Sequence, residues 1–141
     1  MMDIKKYLDK IGVKELNAMQ QDALDTICSS NDDVVVLSPT GTGKTLAYLL
    51  PLTELVDASS DDLQTVVVVP GRELALQSAT VLKGLSSGIR SLACYGGRPA
   101  MDEHRQLRQV CPQVIFGTPG RLNDHLDKGN INVDSVCTLV I

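Results

Sequence analysis

Two amphipathic patterns occupy the first thirty residues. The first pattern covers residues 3–11 and ends at Gly12, which breaks the helical spacing. The second begins at Asn17, a residue that caps helices, and Gln20 three positions later is its capping-box partner. The apolar positions are Ile4, Tyr7, Leu8 and Ile11 in the first pattern and Met19, Ala23, Leu24 and Ile27 in the second. Two helices are therefore predicted before the first strand.

From residue 34 onward, short apolar runs alternate with helical patterns. The predicted strands are Val34–Leu37, Thr65–Val69, Ser91–Tyr95, Gln113–Phe116 and Val136–Ile141. The predicted helices between them cover residues 44–56, 73–85, 101–110 and 121–126. Such alternation is typical of an α/β domain with a mostly parallel sheet, right-handed crossovers and helices on both faces.

Composition supports this fold class and limits how the chain could bind nucleic acid. The chain has 141 residues, the size of one domain, and 43% of them are hydrophobic but only 3% aromatic. A core of Val, Leu, Ile and Ala suits buried parallel strands covered by helices. The formal net charge of −4 excludes nucleic-acid binding through bulk positive charge, so any such binding needs a local patch.

The cysteines and the apolar runs indicate a cytoplasmic protein. The four cysteines form no C-x-x-C pair and have no metal-ligand spacing with the two histidines, which favours a reducing compartment. We expect no signal peptide and no membrane span, because every apolar run is short. The cysteines are Cys28, Cys94, Cys111 and Cys137.

A candidate phosphate-binding loop follows the first predicted strand and opens the next helix. Its residues are Ser38, Pro39, Thr40, Gly41, Thr42, Gly43, Lys44 and Thr45. The glycines allow successive backbone N–H groups to point at an anion, and the helix start adds its positive dipole end. In this pattern Lys44 contacts the β- and γ-phosphates and the Thr45 hydroxyl binds Mg²⁺. Ser38 occupies the position where the strict pattern has Gly.

Four further clusters accompany predicted strands. They are Gly12–Gln20, Pro70–Ala75, Gly96–Gly97 and Thr118–Arg121. Each lies beside a strand or at its carboxyl end, which is the ligand-binding edge of an open α/β sheet. A hydroxyl, free N–H groups at a helix start and a guanidinium together suit a phosphate.

In this order the clusters resemble the DEAD-box family of ATP-dependent RNA helicases, from about Gly12 to Ile141. The resemblance implies a three-layer, RecA-like P-loop domain that is partial in this chain. It assigns residues 1–30 to N-terminal helices that carry the glutamine motif and residues 31–141 to the first RecA-like domain. The cofactors that it implies are ATP and Mg²⁺, and the partners are RNA and a second RecA-like domain.

The resemblance also assigns residue roles. Gln20 matches the adenine-recognition glutamine, and Lys44 and Thr45 match the catalytic positions of the phosphate loop. The positions that match RNA contacts are Pro70, Gly71, Arg72, Gly96, Gly97, Thr118, Pro119, Gly120 and Arg121. Val13 stands where the family has an adenine-stacking Phe, so we expect modest nucleotide affinity.

The chain ends at Ile141, where the family continues into the Asp-Glu-Ala-Asp motif. We therefore expect a monomeric fragment that lacks the Mg²⁺-binding carboxylates and the second RecA-like domain, and that has little ATPase activity alone. The intact protein would couple ATP hydrolysis to the unwinding of short RNA duplexes. Two alternatives remain open: a non-catalytic P-loop nucleotide-binding module, and a DNA helicase of a related superfamily.

Overall fold

A computed structural model describes residues 4–39 and 43–141 of the chain. The helices in these ranges are α1 (Ile4–Ile11), α2 (Ala18–Ser29), α3 (Lys44–Leu55), α4 (Arg72–Gly84), α5 (Ala100–Val110) and α6 (Pro119–Asp127). The strands are β1 (Thr65–Val68), β2 (Ser91–Cys94), β3 (Val114–Gly117) and β4 (Thr138–Val140). These elements were all predicted, and their ends differ from the predicted ones by one or two residues.

The strands form one parallel sheet in the order β2-β3-β1-β4. Gly117, at the end of β3, is level with Val68 of β1 on one side and with Cys94 of β2 on the other. The three carboxyl ends are therefore aligned. The loops that follow them emerge side by side at one edge of the sheet.

Side chains of the strands alternate between two cores. Val67 and Phe116 face one core, which contains Leu50 of α3 and Leu82 of α4. Val66 and Ile115, their neighbours along the same strands, face the other core. The helices α5 and α6 contribute Leu107 and Leu122 to this second core. Helices thus cover both faces of the sheet, which confirms the predicted three-layer α/β fold.

The predicted strand over 34–37 is wrong. Residues 34–39 form neither helix nor strand, and the side chains of Val35 and Leu37 are 81% and 90% exposed. A strand exists only when a neighbouring backbone accepts and donates its hydrogen bonds. At the sheet edge, β4 pairs with β1 alone among the described strands. A cavity of about 700 Å³, lined by Val34 and Val36 and by residues 137–141, separates the two segments.

The N-terminal helices pack beside the central layer. The predicted capping box starts α2: the Asn17 side chain accepts from the Gln20 N–H at 2.8 Å, and the Gln20 side chain accepts from the Asn17 N–H at 3.0 Å. α2 packs against α3, and α1 packs against α4. In the part of the chain that the structure describes, no helix is long and apolar enough to cross a membrane.

Candidate functional site

Gly43 is the described glycine of the phosphate loop, because Thr40, Gly41 and Thr42 lie outside the described residues. It precedes α3 and has a φ of +82°, a conformation that favours glycine. A Cβ at this position would also collide with Nε2 of Gln20. The conformation therefore favours glycine here, and a larger residue would displace the Gln20 amide.

Lys44 and Thr45 form the first turn of α3. Lys44 is exposed and Thr45 is half-buried, and both line the cavity of about 700 Å³. Its volume is in the range of small-molecule sites. Tyr48, Pro70 and Asp33 line other parts of the same cavity. The structure thus places the lysine and the hydroxyl of the predicted motif together at a helix N-terminus that opens into a cavity.

Gln20 connects α2 to the phosphate loop. Its Oε1 accepts from the Asn17 backbone N–H, and its Nε2 donates to the Gly43 carbonyl at 3.1 Å. The side chain is 8% exposed. Both polar ends of the amide already make hydrogen bonds within the protein. Nε2 still has a second hydrogen and Oε1 a second lone pair that could bond to a ligand. Adenine recognition by Gln20 therefore stays a prediction.

Most residues predicted to contact RNA lie on the surface at the carboxyl ends of β1, β2 and β3. Gly97 has a φ of +91°, and an added Cβ at Gly96 or Gly97 would meet open space. The backbone of this turn is accessible to a ligand. The exposed positions are Pro70, Arg72, Gly96, Gly97, Pro119 and Gly120, and the half-buried ones are Gly71 and Thr118.

The helices α4 and α6 begin at this edge with no side-chain cap, as does α5, which follows the glycine turn. The N-cap of α4 is Gly71, which has no side chain, and the N-cap of α6 is Thr118, whose hydroxyl makes no capping hydrogen bond. The first N–H groups of a helix have no partner inside the helix. The two helix starts therefore offer N–H donors and positive dipole ends to an anion.

Arg121 lies beneath this surface. It is 8% exposed, its Nη1 lies 3.0 Å from Oε1 of Glu103, and its Nη2 donates to the Arg98 carbonyl at 2.8 Å. The helix begins at this motif as predicted, but the guanidinium of Arg121 points toward the protein interior. Direct contact between Arg121 and RNA stays a prediction that this placement does not favour.

The buried carboxylate of Glu103 was missed at the sequence level. Its Oε2 accepts from the Tyr95 N–H at 2.9 Å and from Nε of Arg98 at 3.0 Å. Its Oε1 lies 3.0 Å from Arg121 and 2.8 Å from Nε2 of His125. Glu103 and His125 are both fully buried. The available signal was a charged residue among Ala100 and Leu107, on the apolar face of α5.

Electrostatics keep Glu103 ionised. Burial acts to raise its pKa, but hydrogen bonds from His125, the Tyr95 backbone, Arg98 and Arg121 outweigh burial and hold the pKa below its ordinary value. A carboxylate only accepts, so Nε2 of His125 carries the proton and donates. Nδ1 of His125 then accepts from the Asn130 amide at 3.0 Å.

Cys94, Glu103 and His125 have ligand atoms within 4.8 Å of one another, but they do not suit a metal ion. Both nitrogens of His125 and both oxygens of Glu103 are already engaged. Burial raises the pKa of the Cys94 thiol to about 12, and the Glu103 charge adds to the rise. Two guanidinium groups also contact the carboxylate, so a cation would be repelled. The cluster is structural.

Tyr95 connects the start of α4 to this cluster. Its ring contacts two guanidinium groups, that of Arg98 at 4.3 Å from the centroid and that of Arg72 at 5.5 Å. Arg72 begins α4, so the ring connects the start of this helix to the glycine turn. Tyr95 and Arg98 were not singled out from the sequence.

Comparison with known proteins gives a consistent family. The sequence profile of the DEAD/DEAH box helicase family matches residues 17–141. The DEAD-box ATP-dependent RNA helicase CshA of Geobacillus kaustophilus is 36% identical over 99% of this chain and 30% of its own length. The ATP-dependent RNA helicase DeaD of Escherichia coli K12 is 35% identical over 98% of this chain and 22% of its own length.

Solved structures show the same fold. A hypothetical ATP-dependent RNA helicase from Sulfolobus tokodaii superposes with a TM-score of 0.83 and 29% identity, over 98% of this chain and 40% of the other. The yeast DEAD-box splicing factor Prp28 superposes with a TM-score of 0.84 over 96% of this chain and 34% of the other; at 21% identity it supports the fold alone. The chain spans less than a third of the length of these curated relatives.

Proposed function

The chain belongs to the DEAD/DEAH box helicase family, and from this premise we propose that it binds ATP at the start of α3 and RNA at the carboxyl edge of the sheet. A protein that contains this chain and has the length of its relatives would couple ATP hydrolysis to the separation of RNA strands. CshA and DeaD, the relatives compared above, are named ATP-dependent RNA helicases. We propose that this protein acts in the cytoplasm.

The observation that carries the RNA proposal is the alignment of three surface loops. The loops after β1, β2 and β3 emerge side by side because their carboxyl ends are in register at Val68, Cys94 and Gly117. All three lead into helix starts without a side-chain cap, and the loop after β2 also contains the glycine turn with accessible backbone. Backbone N–H groups and one exposed guanidinium, that of Arg72, suit the phosphates of a single strand. A chain of net charge −4 could thus bind RNA locally.

The ATP proposal rests on the first turn of α3. Lys44 would contact the β- and γ-phosphates, and the helix dipole would add to its charge. The residues present fit a hydrated divalent cation, because Thr45 and Asp33, which carry oxygen ligands, are among the residues that line the cavity. Mg²⁺ held there would neutralise phosphate charge. Gln20, joined to the loop through Gly43, is proposed to contact adenine.

Hydrolysis also needs Mg²⁺-binding carboxylates and a second RecA-like domain. We propose that the protein which contains this chain supplies both. The chain alone would then bind nucleotide and turn it over slowly, and at low concentration it would be a monomer. RNA-stimulated hydrolysis by the 141-residue chain at the rate of an ordinary enzyme, about 1–1,000 s⁻¹, would contradict this part of the proposal.

The substitution Lys44→Ala tests the nucleotide site. A charge-assisted hydrogen bond contributes about 1.5–3 kcal/mol, so we expect ATP affinity to fall at least about tenfold. Fluorescence titration with a labelled ATP analogue and Mg²⁺ measures this change. The matched control is Lys83→Ala, which removes the same charge from the far end of α4. Equal affinity of Lys44→Ala and the control would refute the assignment of the loop.

Competition between nucleic acids tests the second site. With an ATP analogue present, unlabelled RNA should displace a labelled RNA strand from the protein more effectively than DNA of the same sequence. Equal displacement by DNA would favour a DNA helicase instead. A chain that binds nucleotide but neither nucleic acid would be a P-loop nucleotide-binding module.

A further inference from the structure

We propose that Glu103 is a positioning residue that couples the glycine turn at Gly96–Gly97 to the start of α6. The proposal rests on the RNA-binding function proposed above, and it assigns Arg121 to the same positioning unit. Glu103 is fully buried, so RNA cannot contact it directly. Its effect on RNA would pass through the two loops that it connects.

The two oxygens of the carboxylate have partners in different elements, one in the glycine turn and the other in α6. Oε2 accepts from the Tyr95 N–H and from Nε of Arg98, the residues on either side of Gly96–Gly97. Oε1 contacts Arg121 and His125, both on α6. One rigid carboxylate group therefore fixes the distance between the turn and the helix.

Further contacts support the same coupling. Nη2 of Arg121 donates to the Arg98 carbonyl at 2.8 Å, so the helix also grips the turn directly. The Thr118 N–H donates to the Cys94 carbonyl at 3.0 Å, which joins the strand ends below. These groups bind the two loops to each other and leave the turn backbone exposed. An ion pair that only stabilised the fold would not require one oxygen to bond to the glycine turn and the other to α6.

Consecutive phosphates of a strand have a fixed spacing, so two loops that bind neighbouring phosphates must keep a fixed separation. A small error in this separation weakens binding without unfolding the domain. Loss of the Glu103 network should therefore lower RNA affinity while ATP affinity, which depends on the start of α3, is unchanged.

The substitution Glu103→Gln tests the proposal in the full chain. Glutamine has the same size but one acceptor oxygen, so it can serve the turn or α6 and not both. We expect the affinity for a fluorescein-labelled oligo-uridine, with ATP analogue present, to fall about tenfold, the effect of a coupling of ordinary strength. The affinity for the ATP analogue should stay the same.

A matched control removes one negative charge from the same helix. Asp102 is exposed and lies 3.9 Å from Arg105, away from the network. The loss of a negative charge by itself favours RNA binding, so Asp102→Asn should bind RNA as tightly as the wild type or more tightly. The opposite sign of the two effects separates positioning from bulk charge. A loss of RNA affinity in Asp102→Asn equal to that in Glu103→Gln would overturn the proposal.

A compensating pair separates positioning from direct contact. Arg121→Gln alone leaves Glu103 without one partner and should lose RNA affinity. In the double variant Glu103→Gln, Arg121→Gln, the two amides can bond to each other, and we expect affinity to recover to within about threefold of the wild type. A double variant as weak as Arg121→Gln would overturn the role of the Glu103–Arg121 pair in the positioning unit.

A measurement on the wild type needs no variant to fold. Amide hydrogen exchange at Tyr95 should be slow, because its N–H donates to Glu103, while Gly96 in the exposed turn should exchange quickly. Equal, fast exchange at both amides would overturn the network. If the wild type bound no RNA at all, the proposed function itself would fail, and slow exchange at Tyr95 would still be observed.

Discussion

Gly43 is the residue at which the two parts of the proposed nucleotide site meet. Its positive φ begins α3, its carbonyl accepts from Gln20, and its missing Cβ leaves room for the Gln20 amide. Glu103 has a similar role, because its side chain accepts from donors in the glycine turn and in α6. In both cases one residue fixes the relative position of elements that are distant along the chain.

The ionisation of Glu103 predicts how stability depends on pH. Its pKa is lower when folded than in the unfolded chain, where it is about 4.3. The stabilisation is therefore complete above that pH and is lost as the pH falls through the folded value. We expect the free energy of unfolding of Glu103→Gln, measured with urea, to fall less steeply between about pH 4.5 and 3 than that of the wild type.

The other carboxylates titrate in both proteins, so the difference between the two slopes isolates Glu103. At neutral pH the variant should be less stable than the wild type, because two guanidinium groups lose part of their partner. Parallel acid limbs would contradict a lowered pKa of Glu103.

At the scale of elements, helix starts carry most of the candidate chemistry. α2 starts with a capping box, α3 with the phosphate loop, and α4 and α6 with uncapped N-termini at the edge proposed for RNA. The first N–H groups of an uncapped helix start remain available to water or to a ligand. The uncapped starts of α4, α5 and α6 agree with the binding role proposed for this edge, whereas the capping box of α2 holds Gln20 beside Gly43.

The substitution Asn17→Ala tests the capped helix. Removal of an N-cap costs about 1 kcal/mol, and here it also removes one end of the capping box that holds Gln20 near Gly43. We expect a loss of about 1–2 kcal/mol in the free energy of unfolding and weaker binding of the ATP analogue.

The control for this variant is Asn123→Ala, which replaces an exposed asparagine inside α6. Alanine has the higher helix propensity, so the control should be slightly more stable than the wild type. Loss of stability in both variants to the same extent would mean that the cap contributes nothing specific.

At the scale of the whole molecule, the candidate RNA contacts and the unpaired side of the described sheet lie in different places. The carboxyl ends of β1, β2 and β3 gather the candidate RNA contacts, whereas the β4 side presents unpaired backbone and apolar side chains. Leu139 is 61% exposed and Ile141 is 94% exposed, opposite the exposed segment of Val35 and Leu37. Exposed, apolar strand edges pair with other chains.

The substitution Leu139→Lys should therefore reduce self-association of the chain at high concentration, because a charge on an edge strand prevents edge-to-edge pairing. Sedimentation velocity over a series of concentrations measures the change. Leu126→Lys is the control: Leu126 is 47% exposed on α6, away from the open edge. If both lysine variants associated as strongly as the wild type, the β4 edge would not be the contact.

The sequence alone determined the features that depend on near neighbours. Helical spacing, runs of β-branched residues, the Asn17 capping box and the Ser38–Thr45 pattern all operate within a few positions, so the elements and the α/β class were predictable. The alignment of strand ends was also predictable, because parallel strands with regular crossovers share one carboxyl edge.

Only the tertiary structure decided what depends on distant partners. The run Val34–Leu37 has the composition of a strand, but a strand needs a paired backbone, and a cavity separates this run from the β4 edge of the described sheet. Arg121 matches a surface motif, but a carboxylate eighteen positions earlier draws it inward. Burial and pairing join residues far apart in the chain, and no local pattern encodes which partners will meet.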